Sequence, residues 1–436
     1  MQPLAVRLKQ TRKYNTASRQ MPRTARRQQQ NKNEGGSAMS YAKPYKGIRV
    51  IDMSQAIAGP YAAAILARLG ADVIKIEPER GDWGRGVGKT YAGGQTVHTL
   101  LANLGKRSIC VDLKNPKGPD VVRTLLRDAD IFIESFRPGV TERLGFGYDA
   151  VKAINPRIIY LSVSGFGQQG PFAERPGTDG IMQAFSGFMG GNKGFDGLPH
   201  RSNVVLMDLS AALYNVQALQ AALWARQSET AGRYIDNSLL QSATAFQNIN
   251  LAVQVLEGER SQPPAYPVAT FETADGYVVC GVLFDREFKP FMEMLGIGDI
   301  ADDERLATGL LRYQNRQLID EPIRKAVANF KADDLCAKLR ELRMLHERIN
   351  SYEDFMAHPQ TEEMEAIYWH DYPGIGKIPL ANIPGTAKLG EEPEMLHAPL
   401  LGEHTDAILS EAGLEPAEID ALEAAGAINR KLAKAS

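Results

Sequence analysis

Residues 47 to 77, GIRVIDMSQAIAGPYAAAILARLGADVIKIE, decide the fold. Ile48-Arg49-Val50-Ile51-Asp52-Met53 has the apolar density of a buried strand. Gly59-Pro60 then opens a helix that runs to Leu69, because proline in a first helical turn has no hydrogen bond to lose. Gly70 ends that helix, and Asp72-Val73-Ile74-Lys75-Ile76-Glu77 supplies the next strand.

The same alternation continues outward. A glycine-rich loop runs to about Gly94, and Ser108 to Leu113, Ile131 to Ser135 and Arg157 to Val163 read as further strands. Lys117 to Arg127 and Tyr148 to Asn155 are the helices between them. Strands alternating with helices imply an α/β protein with a parallel sheet covered on both faces. Asp208 to Gln227 and Asn237 to Glu257 lack proline and are expected to form two long helices. After the proline-rich connection Gln262 to Pro267, Ala269 to Thr273 and Gly276 to Gly281 read as a hairpin, and helices follow from about Asp285 to Arg343. A smaller α+β domain is therefore expected over residues 265 to 350. The chain then returns to strand and loop at Gly376 to Leu380 and ends in helices at Thr405 to Ala412 and Pro416 to Ala425.

The composition narrows the function classes. With 436 residues, 44% hydrophobic and 23% charged, the chain resembles neither a disordered nor a collagen-like sequence. A net charge of -2 carries no whole-chain basic surplus for nucleic acid or anionic lipid. That balance hides an asymmetry: residues 1 to 33 hold nine Lys or Arg and no Asp or Glu. This basic tail, residues 1 to 40, has too few apolar positions to build a core-facing helix and is expected to be disordered. It fits either an organellar presequence or a start placed too far upstream. Three widely spaced cysteines, Cys110, Cys280 and Cys336, make neither a disulfide framework nor a metal knuckle, which points to an intracellular, cytoplasmic protein, or a mitochondrial matrix one if the tail is a presequence. The most apolar long stretch, Val204 to Ala225, is interrupted by Asp208, Ser210, Asn215, Gln217 and Gln220 and does not read as a membrane span.

Several motifs fail their context. Gly165-Phe166-Gly167-Gln168-Gln169-Gly170 matches G-x-G-x-x-G after a strand, but Pro171 and Pro176 keep a helix from starting inside it, so no dinucleotide turn is expected. The seven histidines lack metal-ligand spacing, and no G-x-S-x-G elbow or P-loop lysine occurs. What remains is a pair of carboxylates. Asp179 begins an apolar helical run after Pro176-Gly177, where its bland role is an N-cap. Asp208 lies in Val204-Val205-Leu206-Met207-Asp208-Leu209, where an ionised carboxylate is costly unless paired or used; capping the following helix is again the bland role.

At these residues the chain resembles the class III CoA transferases, a family related to the α-methylacyl-CoA racemases. The resemblance is carried by Gly47 to Asp52 with Ala58-Gly59-Pro60, by Leu69 to Glu77, and by Gly105-Lys106-Arg107-Ser108. It continues through Phe136-Arg137-Pro138-Gly139 to Arg143-Leu144-Gly145, Gly165-Phe166-Gly167 to Gly170-Pro171, and Leu401 to Thr405. It implies a Rossmann-like large domain built from both ends of the chain, residues 41 to 235 and 351 to 436, with a linker at 236 to 264 and the small domain inserted. It further implies an interlocked homodimer, and the charge balance and interrupted apolar stretch of the chain add no nucleic-acid or membrane partner.

The family's catalytic aspartate matches Asp208, and a supporting acidic residue matches Asp179. On that reading Asp208 attacks an acyl-CoA thioester and CoA passes to a free carboxylic acid, with the thioester as substrate and no resident cofactor or metal. Nearby donors are expected to keep Asp208 ionised. Arg137 and Arg143 match positions lining the CoA cleft, with Ala58 beside them and Lys106 and Arg107 as further contacts. The racemases place a histidine where this chain has Thr178, whose hydroxyl is no near-neutral base, so transfer is favoured over α-proton exchange. Two departures leave a CoA-binding protein without turnover as another reading. Gly281 to Arg286 replaces the family's glycine loop, and Met344 to Asn350 replaces its Gly-Val-Pro segment.

Overall fold

In the computed structural model, which describes residues 43–194, 197–258 and 265–430, six strands form one parallel sheet. They are β1 (Arg49–Asp52), β2 (Asp72–Glu77), β3 (Arg107–Cys110), β4 (Ile131–Glu134), β5 (Ile159–Ser164) and β6 (Arg233–Ser238), in the order 3-2-1-4-5-6. The chain winds outward from β1 in both directions, with Val50 in register with Val73 on one side and Ile131 on the other. The strand order therefore reverses between β1 and β4, the crevice where doubly wound sheets bind ligands. The expectations for residues 1–40, and for 259–264 of the connection, lie outside the described residues.

Both sheet faces are apolar because both are covered. Val50, Val73, Ile131 and Ile159 pack under α1 (Ala58–Arg68) and α5 (Leu206–Ala225), against Ala63, Leu66, Met207 and Leu219. Their neighbours Ile51, Ile74, Phe132 and Tyr160 point to the opposite face, under α2 (Gly118–Leu126) and α3 (Tyr148–Ile154). That second face is completed from far along the chain by Ile408, Leu409, Ile419 and Ile428, from α10 (Thr405–Glu411), α11 (Pro416–Ala424) and the segment beyond. His404 N–H donates to Ser108 O, and Asp112 N–H donates to Ala427 O, fastening this segment to the β3 edge.

The helix expected over Asn237 to Glu257 is corrected in two respects. Its start belongs to β6, and the rest divides at Gln247 into α6 (Leu239–Phe246) and α7 (Asn248–Leu256). The division expected at residue 235 thus falls inside β6. β6 is an edge strand with Arg233, Tyr234 and Asp236 exposed, so it needs little of the apolar density that marks the interior strands. Between these elements and the terminal segment, β7 (Val268–Thr273), β8 (Gly276–Gly281) and β9 (Leu345–Arg348) form an antiparallel sheet. Phe271, Val278 and Cys280 pack there against Phe291 of α8 (Asp285–Met294) and Leu335 of α9 (Ala332–Glu341). The strand at Gly376 to Leu380 has an antiparallel partner that the sequence did not reveal: β10 (Ile367–Tyr372) pairs with β11 (Gly376–Ala381).

Candidate active site

A cleft of about 310 Å³ opens at the strand-order reversal. Three loops at the C-terminal ends of parallel strands wall it: Gln55, Ala56 and Ala58 after β1, Ser135 to Pro138 after β4, and Ser164 to Gly165 with Ala173 and Arg175 to Thr178 after β5. Val163 of β5, Asp208, Leu239 and Trp83 complete the lining. Of the residues singled out from the sequence, Asp208, Arg137 and Ala58 meet here, and Asp179, outside the lining, accepts from the N–H of Met207, the neighbour of Asp208.

The two carboxylates are held by different means. α4 (Asp179–Phe185) has Thr178 as its N-cap residue, and α5 has Val205, so neither aspartate caps its own helix. Asp179 instead caps α5 from outside: its Oδ1 accepts from Met207 N–H at 2.8 Å, while Oδ2 accepts from Gln183 Nε2 at 2.7 Å. Gln183 also accepts from Ser202 N–H at 2.9 Å, tying down the approach to α5. The Arg201 guanidinium lies 3.7 Å from Asp179 Oδ2.

Asp208 occupies the first turn of α5 and is half-buried. The donors expected around it are missing: its carboxyl accepts no hydrogen bond among the described residues. A helix N-terminus favours a carboxylate by only about 0.3–1 kcal/mol. Burial, with the Asp179 carboxylate adding to it, overrides that and pushes the Asp208 pKa up to about 7.

The basic residues divide. Arg137 is exposed and lines the cleft. Arg143 is exposed at the end of the single turn Val140–Arg143, folded beside Gly139 and outside the cleft lining. Lys106 is structural. Fully buried, it donates to Asp52 Oδ2 at 2.7 Å, Pro60 O at 2.8 Å and Asn103 Oδ1 at 2.9 Å, which leaves no face for a phosphate. Arg107 is likewise occupied, by Asp72 at 2.7 Å and Glu411 at 2.8 Å.

The Lys106 cluster still serves the cleft. Burial opposes the Asp52 carboxylate, but Lys106 and Lys75 outweigh burial and hold its pKa below the ordinary aspartate range. Lys75 in turn donates to Ser54 O and to Asp82, and Asp82 accepts from Ala56 N–H at 3.1 Å, so the β1 loop is braced from below. Glu134 does the same for the β4 loop, accepting from Phe136 N–H at 2.8 Å directly before Arg137. Its burial raises its pKa to about 7. Neither Glu134 nor the cleft residue Arg175 was singled out from the sequence. An acidic residue ending an otherwise apolar strand was the available signal for the first.

None of Gly281 to Arg286 lines the cleft: Val282 is buried, and Leu283 and Phe284 are exposed. Among the described residues no cluster of His, Cys, Asp and Glu is arranged to hold a metal, and no helix is long and apolar enough to cross a membrane.

A doubly wound parallel sheet with a half-buried carboxyl at its reversal point defines an α/β protein built to hold an extended ligand across its strand ends. A family model, CoA-transferase family III, matches residues 45–405, and the chain belongs to that family. It is 36% identical over 387 residues to the succinate–glutarate CoA-transferase of Agrobacterium fabrum, covering 84% of this chain and 95% of that protein. It is 33% identical to the human succinyl-CoA:glutarate CoA-transferase, covering 86% and 87% of the two chains. The crystal structure of a CAIB/BAIF family protein from Brucella suis superposes with a TM-score of 0.74 at 31% identity, over 85% of this chain and 99% of that one. The protein is accordingly a CoA-transferase enzyme.

Proposed function

We propose that this enzyme moves CoA from an acyl-CoA thioester to a free carboxylic acid through a mixed anhydride on Asp208, with Asp179 positioning it. One observation carries the reading: Asp208 lines the cleft with its carboxyl unengaged by any donor among the described residues, so its oxygens are free to attack. An Asp208 oxygen bonds to the thioester carbonyl carbon, the C–S bond breaks, and CoA leaves as thiolate. The thiolate then attacks the Asp208 carbonyl, releasing the donor acid as a carboxylate and leaving an aspartyl thioester. The acceptor carboxylate repeats the exchange in reverse order and departs as the new thioester. Each exchange forms one acyl bond and breaks one, so no outside energy source is needed.

The rest of the CoA molecule needs cations and length. A second cleft of about 400 Å³ shares Gln55 and Phe136 with the first and is lined by the cations Arg80 and Lys114 together with the carboxylates Glu77, Glu79 and Asp112. We place the thioester end at Asp208, with Ala58 and Arg137 along its path, and the phosphate-bearing end toward that second cleft and Arg143. The names of the two relatives fit exchange between acids. Thr178 lines the cleft where proton exchange at the α-carbon would need a base, which disfavours the racemase reading.

A screen of acyl-CoA donors against carboxylic acids, read by mass spectrometry, tests the reading; no exchanged thioester from any pair would defeat it. The pH profile adds a sharper check. Attack requires the ionised carboxyl, so kcat/KM should fall about tenfold per unit below a midpoint near 7 and level off above it. Asp179→Asn removes the neighbouring charge while keeping an oxygen for Met207 N–H, and should move that midpoint to lower pH. A profile flat from pH 5 to 8, on the order of the range where such a group titrates, would exclude Asp208 as the titrating nucleophile.

A homodimer belongs to the same proposal. α7 buries none of its residues, and Ile249, Val255 and Leu256 are 79%, 83% and 83% exposed. So apolar an exposed helix marks a protein contact. Sedimentation should show a dimer that Leu256→Glu converts toward monomer; a monomeric wild type would refute it.

A further inference from the structure

The loop between β5 and α4 carries a cation that no described residue neutralises. Arg175 lines the cleft together with Asp208 and is exposed, and its guanidinium has neither a hydrogen bond nor an ion pair among the described residues, its backbone N–H alone donating to Phe172 O. Its contacts are aromatic: the guanidinium carbon lies 5.5 Å from the Phe166 ring centroid and 5.2 Å from that of Phe172. Those rings pack edge-on against each other at 5.7 Å and against Phe185 at 5.1 and 5.8 Å, an aromatic seat. The ends of the loop are pinched together, since a Cβ on Gly165 would lie 2.7 Å from Gly177 Cα. A guanidinium held by its faces keeps its N–H edges free, and those edges match a carboxylate as a two-pronged fork.

The position says which carboxylate. Arg137 sits on the β4 side of the reversal, beside the cleft that holds Arg80 and Lys114. Arg175 is on the β5 side, in the loop that runs through Thr178 into Asp179. We propose that Arg175 binds the second carboxylate of a dicarboxylic acyl group, making the cleft selective for dicarboxylic acids and their CoA monothioesters over monocarboxylic ones. This rests on the CoA-transfer reading above. A monocarboxylic acid would leave the guanidinium without its partner, the kind of mismatch that gives an enzyme discrimination.

The test is the ratio of kcat/KM for glutarate to that for butyrate, with the acyl-CoA donor held fixed. The wild type should favour glutarate, and Arg175→Gln should reduce the ratio about tenfold to hundredfold, as expected for one charge-assisted contact. Arg175→Lys should restore part of it, because it keeps the charge without the fork; if the glutamine variant does not fold, the ratio is read on the lysine variant. A wild type that transfers CoA to both acids equally overturns the inference. So does a variant that loses both acids in proportion, or one whose KM for acetyl-CoA rises instead, which would make Arg175 a phosphate contact. Absence of transfer to any acid in a broad panel defeats the transfer reading itself, a separate outcome.

Discussion

Replacing Asp208 with asparagine is expected to lower CoA transfer by at least about a thousandfold, roughly 4 kcal/mol of transition-state stabilisation. Asparagine keeps the shape of the side chain and its place in the first turn of α5, but an amide oxygen is no substitute for a carboxylate that must form and break an acyl bond. Binding of CoA should change little, because Arg137 and the proposed phosphate contacts at Arg143 and the Arg80–Lys114 cleft are untouched. Calorimetric titration with CoA would separate the two effects. Hydroxylamine added during turnover of the wild type should convert Asp208 to a hydroxamate, located by peptide mass spectrometry. A variant with more than a few per cent of wild-type activity, or a hydroxamate on another residue, would remove Asp208 from the mechanism.

Lys106→Met should cost about 3–5 kcal/mol of stability, because it leaves Asp52 buried with its nearest charge partner gone. Lys75 remains 3.9 Å from Asp52 and softens the loss, so the lower end of that range is expected. Adding Asp52→Asn to Lys106→Met removes the orphaned charge and should recover part of the stability, a coupling that a double-mutant cycle measures. Denaturant unfolding is the readout for both. An unchanged unfolding midpoint, together with a higher KM for acyl-CoA, would instead make Lys106 a CoA contact.

These two residues also show what was legible before the structure. Strands β1, β2, β4 and β5 announced themselves because a parallel sheet covered on both faces demands apolar residues at nearly every position. β6 did not, because an edge strand with an exposed Arg233-Tyr234 start carries half that demand. Asp208 stood out as a carboxylate in an apolar run. Lys106 was misread because its partner Asp52 lies 54 residues earlier, and the burial of a lysine depends on such distant company. Arg175 was overlooked for the opposite reason. Its importance lies in having no acidic partner among the described residues, and that becomes visible only once every nearby acid has been placed.

The fastening of the terminal segment to β3 sets a schedule for biosynthesis. Ser108 must wait for Gly402, 294 residues later, before its hydroxyl finds that N–H. At ribosomal rates of roughly 5–20 residues per second, that delay is about 15–60 s. Throughout it, Ile74, Ile109 and Phe132 lack the cover that Ile408, Leu409 and Ile419 will provide. The nascent chain thus carries an open greasy surface for most of its translation, a natural client for a holding chaperone. A chain truncated before α10 would leave those residues without that cover.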